Sequence, residues 1–437
     1  VSLRQYQSDL VAEVIAAFNG GSRTVVMQLG TGGGKTHTAA SLIEYAVVRG
    51  HRVLFLAHLD TLVGDTHARL KRAGVRAGFI QAGRPVDAEA HVHVASLQTL
   101  WAREERPPAD LVILDECHRV MGASVKAIVD AYPEAWILGL TATPQRGDGK
   151  PLGAVFGRLI TGPSNRWLTE HGHLVPCDVL APTAFNERAL VDDPIEAYVK
   201  HTAGRRAIVF AASVAHARAC AVSFGAAGYP AGLMLGDTPR DERELLRLAM
   251  ADGGVRVLVG VGVFLEGFDL PSIEVVVLAR PFTVTGAFLQ ATGRGLRPSP
   301  ETGKAGCTVL DLRGSVHLHG LPDEERRWSL TGSACVRVET MTSFRRCTEC
   351  MAIFRPARVC PRCGAEHDAV EKIPRVLRRV EALERLKDVP QHKRDSAYIW
   401  RLVTIGQRRM RMSSERAHAF ALREFRRRFA REPERTP

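Results

Sequence analysis

Nowhere does this chain run to the roughly 18 consecutive apolar residues from which a membrane-crossing helix is built. Its first residues, Val1 to Gln7, lack the basic-then-apolar pattern of a secretory leader. The expected setting is therefore cytoplasmic, with no membrane partner. Cysteine is too thinly spread for a disulfide framework. Cys117, Cys177, Cys220, Cys307 and Cys335 stand alone, and the remaining four of the nine form two tight pairs, at 347/350 and 360/363. Paired cysteines among isolated ones are a metal pattern that suits a reducing compartment. Net charge is missing from most of the chain as well. The formal +12 resides entirely in residues 341–370, with 5 Lys/Arg against 3 Asp/Glu, and residues 371–437, with 19 against 9. The first 340 residues are neutral. A neutral body with a basic appendage suggests a polyanionic partner held by the appendage; a solvated tail that only aids solubility is the plainer reading.

What is present is ample apolar material. At 437 residues and 45% hydrophobic content, two or three domains with real cores are expected. Residues 10–18 read as a helix, 24–29 as a buried strand and 38–48 as a helix. Strands follow at 52–57, 91–95, 111–114 and 136–140. A second series starts after about residue 165, with strands at 207–211, 255–259, 275–278 and 307–310 and helices at 213–224 and 240–251. Apolar strands alternating with helices imply a mostly parallel sheet covered on both faces. The expected fold is thus α/β, with two tandem lobes joined by a linker near 157–176. A small cysteine unit and a basic helical region, with helices at 376–387 and 413–429, would follow. No internal repeat is evident.

Three motifs carry the chemistry. Gly30-Thr31-Gly32-Gly33-Gly34-Lys35-Thr36 follows a strand and opens a helix. Glycines without Cβ atoms let backbone N–H groups converge on phosphate oxygens, and the helix adds its positive end. Gly32 and Gly34 would line the cradle, Lys35 would reach the β and γ phosphates, and Thr36 would hold Mg²⁺. The strict form of this loop has glycine where this chain has Leu29. Asp115-Glu116-Cys117-His118 ends the strand at 111–114, where ligands of parallel sheets bind. Asp115 suits the Mg²⁺ shell, Glu116 the polarising of water, and His118 the sensing of the γ phosphate. Gln290, Arg294 and Arg297 have the spacing of one helix face, from which two arginines would reach the triphosphate as fingers.

These motifs, with others in the same order, make residues 2–315 resemble a DExH-type helicase or translocase of superfamily 2, of the branch that includes repair, phage and restriction-enzyme motors. Leu3-Arg4-Gln5-Tyr6-Gln7 resembles the family's adenine-side motif, which implies that Arg4 and Gln7 meet the base. Leu56-Ala57-His58 resembles motif Ia, residues 95–100 a single-strand contact motif, and Thr141-Ala142-Thr143-Pro144 motif III. Ile208-Val209-Phe210 opens motif IV, residues 265–271 resemble motif V, and 290–297 motif VI. The resemblance implies two RecA-like lobes with ATP between them. It adds Glu266, Gly267 and Asp269 to the nucleotide site. It also lays a nucleic-acid strand across both lobes, held by its backbone, with His58, Ser96, Thr99, Gly267, Thr141 and Thr143 as the contacts. Cys-His in the second motif, where the DEAD-box class has Ala-Asp, argues against an RNA helicase of that class.

Cys347, Cys350, Cys360 and Cys363 form two CxxC turns with nine residues between them. Four thiolates suit tetrahedral Zn²⁺ in a small ribbon that folds around its metal; an iron–sulfur cluster is the rival. Arg345, Arg346, Arg355, Arg358 and Arg362 stud this unit, either to grip phosphates or to dock it. The expected domains are therefore 1–165, 166–335, 336–370 and 371–437, and the expected cofactors ATP, Mg²⁺ and Zn²⁺. The expected function is an ATP-dependent DNA helicase. A duplex translocase within a larger restriction or repair complex, an RNA helicase, or an ATPase-dead scaffold are the alternatives.

Overall fold

The computed structural model describes residues 3–57, 60–72, 74–80, 87, 89–102, 106–120, 122–146, 150–187, 190, 192–265, 267–331, 336–337, 344–367, 419 and 422. The chain divides into two units, Val1–Asp368 and Ala369–Pro437. The helices expected at 376–387 and 413–429 lie outside the described residues, apart from Ala419 and Leu422, which are helical.

The first lobe contains α1 (Gln5–Asn19), β1 (Thr24–Gln28), α2 (Lys35–Val48), β2 (Val53–Ala57), α3 (Asp60–Arg72), β3 (Gly78–Ile80), β4 (Val92–Ser96), α4 (Leu97–Trp101), β5 (Leu111–Leu114), α5 (Gly122–Ala131), β6 (Trp136–Thr141) and β7 (Arg158–Thr161). Its sheet runs β3-β4-β2-β5-β6-β1-β7, with every pairing parallel. The central strands have no polar face. Val25, Val26 and Met27 of β1 and Val112 to Leu114 of β5 are wholly buried, as a sheet covered by helices on both faces requires.

The second lobe follows α6 (Asn165–Glu170). It contains β8 (Cys177–Leu180), α7 (Pro194–Thr202), β9 (Ala207–Phe210), α8 (Val214–Ala226), β10 (Ala231–Met234), α9 (Arg240–Asp252), β11 (Val257–Gly260), β12 (Val275–Leu278), α10 (Thr285–Gly293), β13 (Cys307–Asp311) and α11 (Val316–His319). Short strands β14 (Arg326–Arg327) and β15 (Val336–Arg337) pair with each other, and β16 (Arg345–Arg346) and β17 (Ala352–Phe354) form the cysteine hairpin. The second sheet runs β10-β11-β9-β12-β13-β8-β17-β16. Counted from the first strand of each lobe, both sheets share one order for six positions. The internal duplication that the residues hide is therefore plain in the topology.

Four expectations need correction. Residues 158–161 are not linker: they form β7, which pairs with β1 at Val25↔Arg158 to Gln28↔Thr161 and closes the first sheet. The cysteine hairpin is not a separate unit, because β17 pairs antiparallel with β8 (Ala352↔Leu180, Ile353↔Val179) and extends the second sheet. Cys177 and Cys307 are not isolated; they face each other in register across β8 and β13. Arg294 and Arg297 do not share a helix face. α10 ends at Gly293 with Arg294 as its cap: the Arg294, Gly295 and Leu296 N–H groups turn back to carbonyls three residues earlier, and Pro298 cannot continue a helix.

Candidate nucleotide site and cysteine centre

The phosphate loop is built by glycine where glycine is needed. Gly32 and Gly34 have φ of +90° and +89°, a conformation that side-chain-bearing residues rarely adopt. A Cβ on Gly33 would lie 2.8 Å from Leu29 Cγ, so the leucine that breaks the strict motif packs beneath the loop. Gly34 caps α2, and Lys35 and Thr36 occupy its first turn. From α1, Tyr6 Oη donates to the Gly33 carbonyl at 2.9 Å and Gln7 Nε2 to the same oxygen at 3.3 Å. The Arg4 N–H donates to Gln7 Oε1 at 3.0 Å, so Arg4 and Gln7 stand together beside the loop.

Lys35 Nζ lies 4.0 Å from Glu116 Oε1 and 3.4 Å from the Leu29 carbonyl. Burial pushes its pKa below the ordinary lysine value and Arg294 and Arg297 reinforce this, while Glu116 and Asp115 oppose it. Loop, acids and arginines thus share one electrostatic site. Glu116 takes a left-handed φ of +46°, and its N–H donates to Asp115 Oδ1 at 3.0 Å. The turn presents both carboxylates at the end of β5. Thr36 and Asp115 offer hard oxygen ligands of the kind Mg²⁺ takes, and the glycine cradle fits a triphosphate.

His118 is the node between the acids and the second lobe. Its Nδ1 lies 2.9 Å from Thr141 Oγ1 and 3.5 Å from Glu116 Oε2. Gln290 Nε2 donates toward His118 Nε2 at 3.4 Å. With Nε2 accepting, the imidazole carries its proton on Nδ1, facing Thr141 and Glu116. Thr141 Oγ1 also donates to the Thr143 carbonyl and accepts from the Thr143 N–H, each at 3.0 Å.

Arg294 and Arg297 converge despite the break in α10. Arg294 donates to the Phe268 carbonyl at 2.7 Å and to that of Leu265. Arg297 pairs with Asp269 and donates to the Phe268 carbonyl at 3.4 Å. Asp269, expected at the nucleotide, therefore holds an arginine, and Gly267 turns the loop with φ +64°. The loop meets α10 directly: a Cβ on Gly293 would sit 2.6 Å from Thr31 Cβ, and one on Gly32 would sit 3.3 Å from Arg297 Cγ.

The residues expected on nucleic acid are less open. Ser96 is fully buried and caps α4, accepting from the Thr99 N–H at 3.0 Å. Thr141 and Thr143 are 0% and 1% exposed, so neither faces a strand in this conformation. Thr99 is half-buried. His58 and Glu266 lie outside the described residues.

The four Sγ atoms of Cys347, Cys350, Cys360 and Cys363 lie within 4.8 Å of one another. Cys347 and Cys363 are 3.6 Å apart, and Cys350 and Cys360 3.7 Å. Tetrahedral zinc with bonds of about 2.3 Å sets its sulfurs about 3.8 Å apart, so the set fits Zn²⁺. Each turn is tied by backbone bonds, Cys347 N to Ala352 O at 2.9 Å and Cys360 N to Ala365 O at 2.8 Å. The arginines around this centre mostly dock it. Arg346 donates to the Ala181 carbonyl at 2.9 Å, Arg362 to that of His201 at 3.0 Å, and Arg355 pairs with Asp323 at 3.3 Å.

Residues 1–146 match the family model "Type III restriction enzyme, res subunit", and residues 190–299 match "Helicase conserved C-terminal domain". One model falls on each lobe, on either side of the cleft just described. The chain belongs to the superfamily 2 helicases and translocases. A 51.5 kDa protein of Lactococcus phage (isolate 7-9) is 26% identical over 371 residues, 79% of each chain. A protein of Saccharomyces cerevisiae named as a candidate ATP-dependent helicase, IRC3, is 25% identical over 72% of this chain but only 52% of its own length. Among solved structures, a fragment of a candidate HsdR subunit of a type I restriction enzyme from Vibrio vulnificus YJ016 superposes with a TM-score of 0.57. At 22% identity, covering 73% of this chain and 66% of that one, it shares the fold. As a superfamily 2 motor the chain is an ATPase that acts on nucleic acid.

Sequence reading missed Asn165, whose Oδ1 occupies the space where a Cβ on Gly30 would lie (2.1 Å), and Leu174, packed against Gly32. Both sit in the inter-lobe connection, and only their position in chain order, just after motif III, could have pointed to them.

Proposed function

We propose that this motor is an ATP-dependent DNA helicase: it couples hydrolysis to translocation and to strand separation or remodelling. The observation that carries the reading is the run of polar contacts from Glu116 through His118 to Gln290, which joins an acid at the phosphate loop to the second lobe. In this reading Lys35, Gly32 and Gly34 hold the phosphates, Thr36 and Asp115 the Mg²⁺, and Arg4 and Gln7 the base. Glu116 orients water. Arg294 and Arg297 stabilise the charge that develops on the transferred phosphoryl group, and Asp269 positions Arg297. Residues 1–165 and 166–335 act as the two lobes, with the cysteine hairpin of 336–370 holding Zn²⁺ and the basic region 371–437 gripping DNA backbone. The restriction-type family model supports DNA over RNA as the track. It also favours a second reading, a duplex translocase working within a larger complex.

The test is steady-state ATP hydrolysis alone and with single-stranded DNA, blunt duplex, forked duplex and RNA, with Lys35→Ala as the blank. Stimulation chiefly by single strands or forks, followed by strand release from a fork, supports the helicase. Stimulation chiefly by blunt duplex without strand release selects the translocase, and stimulation by RNA alone removes DNA as the track.

A further inference from the structure

We propose that residues 320–331 form a strap that positions the phosphate loop and residues 141–143 for nucleic-acid-stimulated hydrolysis, and that the cysteine hairpin sets where the strap lies. The proposal rests on the motor reading above. After α11 the chain leaves the second lobe and crosses to the first. Arg326 fastens the departure, donating to the carbonyls of His319 at 2.9 Å, Leu321 at 2.8 Å and Glu324 at 2.6 Å. The Pro322 carbonyl then accepts from Asn165 Nδ2 at 3.1 Å, the same side chain that packs on Gly30. Further on, the Leu330 carbonyl accepts from the Gly153 N–H at 2.8 Å. Leu330 packs on one hydrophobic cluster of the first lobe, and Trp328 packs on the cluster shared by the two lobes.

Between these attachments lies a cavity of about 60 Å³. Its walls include Gly30 and Thr31 of the phosphate loop, Thr143, Leu289 of α10, and Glu324 and Trp328 of the strap. Thr143 Oγ1 and Gln28 Oε1 are buried at this cavity with no hydrogen-bond partner among the described residues. A packed interior resists small displacements, whereas a polar void beside the loop leaves room for one. The strap therefore borders the phosphate loop, motif III and α10 at a place where they have space to shift.

Its start is also held by the cysteine hairpin. Arg355, directly after β17, donates two hydrogen bonds to Asp323, at 3.3 and 3.4 Å. A half-exposed ion pair is weak by itself, so it steers the strap while the Leu330–Gly153 and Asn165–Pro322 bonds attach it. The linker and the strap are two crossings between the lobes, tied to each other by the Asn165–Pro322 bond.

Gly153 offers a way to lift the strap at its attachment to the first lobe. It is exposed, and a Cβ there would meet the Leu330 carbonyl at 3.0 Å and Leu330 Cβ at 3.2 Å. The experiment uses the full chain and the variants Gly153→Val, Asp323→Arg, Arg355→Asp and the Asp323→Arg/Arg355→Asp swap. Three quantities are read: kcat and KM for ATP with and without saturating DNA, amide hydrogen exchange of residues 29–33 and 141–143, and zinc content. Gly153→Val is expected to lower the DNA-stimulated-to-basal ratio at least fivefold and to speed exchange at 29–33, at unchanged zinc content. Each charge reversal is expected to lower the ratio two- to threefold, and the swap to restore it. Wild-type ratio and wild-type exchange in Gly153→Val would overturn the proposal, as would a swap no better than the single reversals. If the unaltered chain shows no stimulation by any nucleic acid, the motor reading fails instead, and exchange at 29–33 in Gly153→Val alone decides for or against the strap.

Discussion

Thr141→Val isolates one hydroxyl in the path between the lobes. Valine keeps the shape of threonine, and the site is fully buried, so no water replaces the lost oxygen. The substitution strands the Thr143 N–H, which now bonds to Thr141 Oγ1 at 3.0 Å, and takes from His118 Nδ1 its 2.9 Å contact, leaving the longer approach to Glu116 Oε2 at 3.5 Å. A buried polar group left unsatisfied costs about 1–3 kcal/mol and a lost hydrogen bond about 0.5–1.5 kcal/mol, so the change costs roughly 2–4 kcal/mol of a stability that is commonly about 5–15 kcal/mol. At roughly 2–4 °C per kcal/mol for a lobe of this size, the first melting transition should fall by about 5–15 °C. Catalysis should suffer separately. His118 loses the bond that holds its ring against Gln290, and one hydrogen bond of about 1–1.5 kcal/mol corresponds to about tenfold in rate. The assay is ATP turnover with and without DNA, run well below the melting transition of both proteins. A variant that melts lower yet keeps stimulated kcat within twofold of wild type would refute transmission through His118, leaving Thr141 a purely structural residue.

Lys35→Ala should abolish ATP turnover, because the phosphate charge loses its buried partner; wild-type rates would remove the phosphate-loop assignment. Replacing Cys347 and Cys350 by Ser should eliminate bound zinc, measured by atomic absorption, and expose the β17–β8 pairing to hydrogen exchange; full zinc content would refute the four-thiolate site. Deleting residues 371–437 removes a net +10 and should flatten the dependence of DNA affinity on salt; an unchanged slope would show that this region does not touch DNA. Lys304, 8% exposed, donates to the carbonyls of Pro271 at 2.9 Å and Arg297 at 2.7 Å, and burial lowers its pKa to about 8. Between that value and the ordinary lysine pKa of about 10.4 the unfolded chain binds more protons than the folded one, so wild-type stability should rise with pH across this window. Lys304→Met should lack that rise in pH-dependent urea unfolding, and an identical slope in both proteins would contradict a Lys304 pKa lowered by burial.

The parts legible in the sequence are those written by local chemistry. Runs such as 111–114 and 275–278 are apolar throughout because both faces of their strands are covered, and glycine-rich residues 30–34 announce a loop that only glycine can build. What escaped is non-local. β7 shows a single buried residue, Ile160, in its burial pattern, which reads as linker until its pairing with β1 is known. β17 is three residues long, and its partner β8 lies some 170 positions earlier. Arg294 and Arg297 were legible as residues but not in their geometry. Their spacing suggested one helix face, whereas the helix stops at Gly293 and it is the backbone around Phe268 that gathers them. Asn165, Gly153 and Asp323 carry no motif at all; their roles arise only because the chain returns across the cleft after α11.

The shared strand order gives the cysteine hairpin a mechanical meaning. In the first sheet the position beside the first strand is filled by β7, a parallel strand donated by the same lobe just before the linker. In the second sheet the corresponding position, beside β8, is filled by β17 from the hairpin, running antiparallel. β8 is also the strand that follows the linker and pairs through Cys307 with β13, and Cys307 in turn lies against Gly295, between Arg294 and Arg297. An open edge beside β8 would leave its N–H and C=O groups unpaired. It would also loosen the strand on which the arginine-bearing turn rests. A metal held by the four thiolates would fix a hairpin too small to hold itself, and the hairpin completes the sheet. A zinc ion there would act on the second lobe through the strand that carries Cys177.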